Sequence, residues 1–124
     1  MGVFPIDFKA GVPVYEQVLY AARKAIVSGE LKPGDEFPSV RALSAVYKIN
    51  PNTVQKALTA LKAEGLIESV PGVGNRVIAA PKATAQQRDR LLEEQLERVA
   101  LRAKQLGLSI SQVTDALRTH WKNL

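Results

Sequence analysis

The 124-residue chain contains no cysteine and a single histidine. A disulfide frame, a thiolate metal site and a thiol redox switch are thereby excluded, and His120 cannot build an imidazole cluster alone. No apolar run reaches the ~18 residues that cross a bilayer. The opening MGVFPIDFKAG also lacks the basic start and apolar stretch of a secretory signal. Cytoplasmic residence without a membrane partner is the expectation. Also missing is a carboxylate pair beside a nucleophile, because Ser28, Ser39, Ser44, Ser69, Ser109 and Ser111 have no base-and-orienter pattern near them. The glycines at 72 and 74 belong to a turn rather than to a phosphate loop that opens a helix. No enzymatic activity, metal or cofactor is expected.

Charge is less decisive. The chain has 17 Lys plus Arg against 12 Asp plus Glu, a net charge of +5, which favours a polyanion over an acidic partner. The excess is spread out, with nine basic and seven acidic residues up to residue 79 and eight and five beyond it. Such a distribution suits a solvated surface as well as an electrostatic footprint, so charge alone does not locate a nucleic-acid face.

The informative stretch is SVRALSAVYKINPNTVQKALTALKAEG, residues 39–65. Ser39 is placed to cap a helix in which Val40, Leu43 and Val46 recur at helical spacing. Asn50 caps a second helix, Pro51 sits at the tolerated first position, and Gly65 marks the far end. Val54, Ala57, Leu58 and Leu61 form one stripe, which turns Asn52, Thr53, Gln55, Lys56 and Thr59 outward. An ordinary surface helix would more often carry Glu and Lys pairs, whereas Asn and Gln can pair bidentately with adenine and a Thr methyl can touch a thymine methyl. Two short helices with this outer face read as a helix-turn-helix.

Around it, Pro13 to Ser28 places Val14, Val18, Leu19, Ala22 and Ile26 on one helical face, ending at Gly29. Lys32-Pro33-Gly34-Asp35 is a turn, and Glu36-Phe37 after it can pair as a short strand. Leu66, Ile67 and Val70 alternate as a strand, PGVGN at 71–75 turns, and Arg76-Val77-Ile78 extends again. A hairpin directly after a DNA-reading helix makes a wing, which lies against phosphates or in the minor groove. In residues 1–12, Phe4, Ile6 and Phe8 alternate and could cover an apolar edge, although Pro5 argues against a regular strand.

The order YEQV at 15–18, IVSGELKPGDEFPSVRAL at 26–43, INPNTVQKAL at 49–58 and LKAEGLIESVPGVGNRV at 61–77 resembles the DNA-binding domain of the GntR family of bacterial transcription regulators. INPNTVQKAL and the short C-terminal part are similar to the YtrA-like subfamily. The resemblance implies DNA contacts from Arg41, with Ser39 beside it at the start of the helix that Ser39 caps. It also implies contacts from Asn50, Asn52, Thr53, Gln55 and Lys56 at the front of the helix that Asn50 caps, and from the wing glycines Gly72 and Gly74. The chain departs from the wider family at Pro51 and Gln55, where arginines are common, and at Val73, where a basic residue is frequent. Fewer cations near DNA imply weaker phosphate anchoring and a shallower salt dependence.

Residues 80–83 read as a linker between a winged helix-turn-helix domain, 1–80, and a helical region, 81–124. Leu92, Leu96, Val99, Ala103 and Leu106 have the alternating four-three spacing of a coiled-coil seam. Gly107 stops that helix, and Ser109 with Gln112 opens another in which Ile110, Val113, Leu117 and Trp121 line one side. Two amphipathic helices joined so closely cannot bury both stripes on each other, so dimerisation through Leu92, Leu96, Val99, Ala103, Leu106, Val113, Leu117 and Trp121 is expected, with packing onto the chain's own winged part as the alternative. Trp121 and His120 invite an effector pocket, but an aromatic residue here reads better as a dimer anchor. An unknown small-molecule effector, bound at the dimer interface or acting on a hinge around Pro81, stays open.

The expected fold is thus mostly α with a small β-hairpin, a winged helix-turn-helix followed by a two-helix dimerisation region. The expected function is a homodimeric repressor on an inverted-repeat operator in double-stranded DNA. The alternatives are a non-sequence-specific or architectural DNA-binding protein and, third, an adaptor acting through its helical tail.

Overall fold

A computed structural model describes residues 4–79 and 83–124, which fall into two units on either side of residues 80–82. Most of the linker expected at 80–83, and the hinge expected at Pro81, lie outside the described residues. The first unit runs α1 (Val14–Val27), β1 (Glu36–Phe37), α2 (Val40–Tyr47), α3 (Pro51–Ala63), β2 (Ile67–Val70) and β3 (Gly74–Val77).

Each helix starts and stops where local chemistry directs. Ser39 Oγ accepts from the Ala42 amide at 3.0 Å, and Asn50 Oδ1 accepts from the Asn52 amide at 2.8 Å, so α2 and α3 each begin on a side-chain cap. Such caps are each worth about 1 kcal/mol. Lys48, in the left-handed region at φ 54, turns the chain between the two helices. At the end of α3 the Leu66 amide donates to Leu61 O and the Gly65 amide to Lys62 O, the paired bonds of a Schellman closure. Leu66, read as the first strand residue, is instead the buried residue of that closure, and β2 starts at Ile67.

The sheet has three antiparallel strands in the order β1-β3-β2. Glu36 stands opposite Arg76 and Phe37 opposite Asn75, and the hairpin registers Ile67 with Val77 and Val70 with Gly74. Glu36-Phe37 therefore adds the short strand that the turn at 32–35 suggested, held by the Asp35 amide on Lys32 O at 2.9 Å.

Val18, Ala22, Leu43, Val54, Ala57, Leu58, Leu61 and Val77 are fully buried and join Leu31, Phe37 and Ile67 in the core. The faces of two helices differ from expectation. In α1 the inward stripe is Val18, Ala22 and Ala25, while Val14 is exposed and Leu19 and Ile26 are half-buried, because alanines admit α3 at close range. In α2, Val46 is 54% exposed and Tyr47 takes the inward place. At 100° per residue Tyr47 points between Val40 and Leu43, and Val46 falls beyond them.

Tyr47 also anchors the N-terminal segment. Its hydroxyl donates to Phe4 O, and the rings of Phe4 and Phe8 lie 6.2 and 5.8 Å from its own. Phe4 is buried against Phe37 at 5.8 Å. Gln17 fastens the rest, accepting from the Lys9 amide at 2.7 Å and donating to Lys9 O and Val12 O. This segment covers the apolar edge without forming a strand.

The second unit comprises α4 (Ala85–Asp89), a π-helical stretch (Arg90–Gln95), α5 (Leu96–Gln105) and α6 (Ile110–Asn123). Thr84 with Gln87 and Ser109 with Gln112 form complete capping boxes at the starts of α4 and α6. The first box is encoded by TAQQ, a threonine three residues ahead of a glutamine. A π turn holds more residues than an α turn, so Leu92, inside this stretch, is rotated away from the place that uninterrupted four-three spacing assigns it relative to Leu96. Among the described residues of this unit only Ala103 is a buried apolar residue. Leu92, Leu96, Val99, Leu106, Leu117 and Trp121 are exposed, Trp121 by 79%, and Val113 is partly covered.

Candidate nucleic-acid interface

The apolar stripe of α3 decides what its other side can be. With Val54, Ala57, Leu58 and Leu61 turned into the core, Asn52, Lys56 and Thr59 stand opposite them, flanked by Gln55 and the half-buried Thr53. This outer face offers amide, hydroxyl and ammonium groups within two helical turns. No carboxylate lies between Asn50 and Ala63.

Several of these groups have partners already. Ser39 and Asn50 use a side-chain oxygen for capping, which leaves the Asn50 amide N–H groups as donors. Gln55 donates from Nε2 to Thr59 Oγ1 at 3.4 Å, and Thr59 in turn donates to Gln55 O at 2.9 Å. Lys56 Nζ lies 3.8 Å from the centre of the Tyr15 ring in the first turn of α1. Tyr15 entered the sequence reading only as part of YEQV, because no periodicity relates residues on two separate helices. Arg41, in the first turn of α2, is exposed and makes no ion pair among the described residues. α2, which carries Arg41, and α3 pack directly together.

The wing is short and presents backbone at its tip. The Val73 amide donates to Val70 O at 3.0 Å, closing a turn with Gly72 at φ 75 and Gly74 at φ 125. A Cβ at either glycine would meet nothing within 4 Å, so positive φ, not crowding, selects glycine here. Val73, at the tip, is 59% exposed. Arg76, the one cation of β3, donates to Glu68 Oε2 across the hairpin at 2.6 and 3.2 Å, and its charge is largely answered within the protein. The amide and hydroxyl groups on the outer face of α3 are thus accompanied by a wing with little net charge.

Two features bear on other chemistries. Among the described residues no three His, Asp or Glu side chains approach closely enough to hold a metal ion, and no helix is long and apolar enough to cross a membrane.

Comparisons with known proteins agree with this geometry. Residues 14–77 match the family described as bacterial regulatory proteins, gntR family. The HTH-type transcriptional repressor YtrA of Bacillus subtilis (strain 168) is 32% identical over 114 residues, which cover 91% of this chain and 88% of that protein. Among solved structures, a transcriptional antiterminator from Listeria monocytogenes EGD-e superposes with a TM-score of 0.83 at 26% identity, over 96% of this chain and 90% of the other. The AraR DNA-binding domain, solved in complex with operator ORX1, superposes with a TM-score of 0.55 at 26% identity, over 62% of this chain and 99% of that domain.

Proposed function

Because this chain belongs to the gntR family of bacterial regulatory proteins, as a YtrA-like transcription regulator with a winged helix-turn-helix DNA-binding domain, we propose that it is a homodimeric cytoplasmic repressor of an inverted-repeat operator. The observation that carries the reading is the outer face of α3, where Asn52 and Lys56 stand opposite a fully buried stripe and Thr53 and Gln55 flank them. A helix so presented can enter a major groove and offer donors and acceptors to base edges. Arg41 supplies a phosphate or guanine contact from α2, with Ser39 and Asn50 completing the helix ends. The backbone at Gly72 and Gly74 approaches the neighbouring phosphates or minor groove.

Dimerisation is assigned to residues 81–124. The apolar side chains at 92, 96, 99, 106, 117 and 121 are exposed in the single chain, and a second copy is the partner that a two-fold operator requires. Pairing two modules also multiplies an affinity that one small module cannot supply against genomic competition. The operator-bound AraR domain and the repressor name of the Bacillus relative support the operator-binding part of the reading by similarity.

The test is selection of bound duplexes from a random pool by the full chain, followed by footprinting of the winner. A palindrome whose half-sites lie about one helical turn or a whole multiple apart is the expected result. Equal affinity for unrelated duplexes with a steep salt slope would instead identify a non-sequence-specific DNA-binding protein. Arg41→Ala should weaken operator binding and lower the salt slope by about one unit if it neutralises one phosphate, with the unfolding temperature unchanged.

A further inference from the structure

Lys56 is the cation at the front of α3, and in the free chain its Nζ already has a neighbour, the Tyr15 ring 3.8 Å away. Tyr15 is half-buried in the first turn of α1, the helix that packs most extensively on α3, so the ring is held while the lysine is exposed. An unrestrained lysine loses rotamer freedom when fixed at a contact. A ring face within about 6 Å attracts the ammonium and orders it beforehand. The ammonium carries three donors, and those turned away from the ring stay available.

Resting on the proposed reading of α3 as the DNA-reading helix, we infer that Tyr15 is a positioning residue for recognition. Its ring orders Lys56 so that the remaining N–H groups meet a phosphate oxygen at reduced entropic cost, and the ring acts through Lys56 alone. The Tyr15 hydroxyl faces Glu16 Oε1 at 3.5 Å, an acidic neighbour that disfavours a phosphate at the hydroxyl itself.

The experiment is a double-mutant cycle on the full chain, titrated by fluorescence anisotropy with the duplex recovered by selection. Tyr15→Leu should weaken binding roughly two- to fivefold, and Tyr15→Phe should leave it intact. In a Lys56→Met background, Tyr15→Leu should have no further effect. Equal losses in both backgrounds, or a Tyr15→Phe as damaging as Tyr15→Leu, would overturn the inference. A readout without DNA guards against a folding defect: the Lys56 ε-methylene protons should show an upfield ring-current shift in the wild-type chain that disappears in Tyr15→Leu. Random-coil shifts in the wild type would refute the contact directly. A wild-type chain that binds no duplex sinks the DNA reading and this inference together, whereas additive losses with intact wild-type binding sink this inference alone.

Discussion

Arg23 of α1 grips Glu64 at the C-terminal end of α3 through two parallel hydrogen bonds, Nε to Oε1 at 2.9 Å and Nη2 to Oε2 at 2.8 Å. The fork matches a carboxylate bidentately and fixes the rotation of α3 against its supporting helix. The hydrogen bond to Glu64 holds the Arg23 guanidinium above its usual range, with partial burial opposing the shift. Both side chains keep more than a third of their surface in water, so screening leaves the pair worth no more than about 1 kcal/mol. Glu64→Gln should therefore lower the unfolding temperature by only a few degrees. A larger effect on DNA affinity than on thermal stability would show that the pair sets the pose of α3.

Tyr47 gives a pH prediction. Burial raises its phenol above the ordinary value of 10.0, and its hydroxyl donates to Phe4 O. A group whose folded pKa is raised contributes stability fully below the unfolded value and loses it as pH rises through the folded one. In chemical denaturation the advantage of the wild-type chain over Tyr47→Phe should hold from neutral pH to about pH 10 and shrink above it. An advantage that grows with alkalinity would contradict the assignment.

The wing turn separates backbone from side-chain demands. Gly72 sits at φ 75 with open space around a Cβ, so a β-branched residue should cost about 1–2 kcal/mol through conformation alone. Gly72→Val should lower the unfolding temperature by several degrees, and Gly72→Asn, which tolerates positive φ, should cost less. Equal costs would point to a side-chain cause.

The helical tail is tested by charge. Replacing Leu96 and Val99 together with Glu should give a folded monomer in sedimentation that binds operator weakly, because two carboxylates cannot be buried in an apolar seam. A double variant that still sediments as a dimer would move the interface elsewhere on the tail. Circular dichroism at matched concentration verifies that helix content is kept.

Much of this was readable beforehand where neighbouring residues decide the outcome. Ser39, Asn50, Pro51 and Gly65 marked helix ends because capping and left-handed closure involve groups two to five positions apart. The stripe Val54, Ala57, Leu58 and Leu61 needed only helical periodicity. Periodicity alone misjudged α2, where Val46 and Tyr47 both lie near the apolar arc and the choice fell to the residue that could pack on Phe4 and Phe8.

What the amino-acid order determined by itself was therefore the set of helices and turns, the polar front of α3 and the family to which the chain belongs, since all of these are written in short-range spacing. Only tertiary structure decided that Tyr15 meets Lys56 across 41 residues of chain, that Arg23 clasps Glu64, that Arg76 is answered by Glu68, and that a π turn offsets Leu92 from Leu96. Three of these are pairings between separate elements and the fourth a break in the hydrogen-bond ladder. A long-range pair depends on how elements are docked, and a π turn on which carbonyl each amide selects, and neither leaves a periodic trace in the residues.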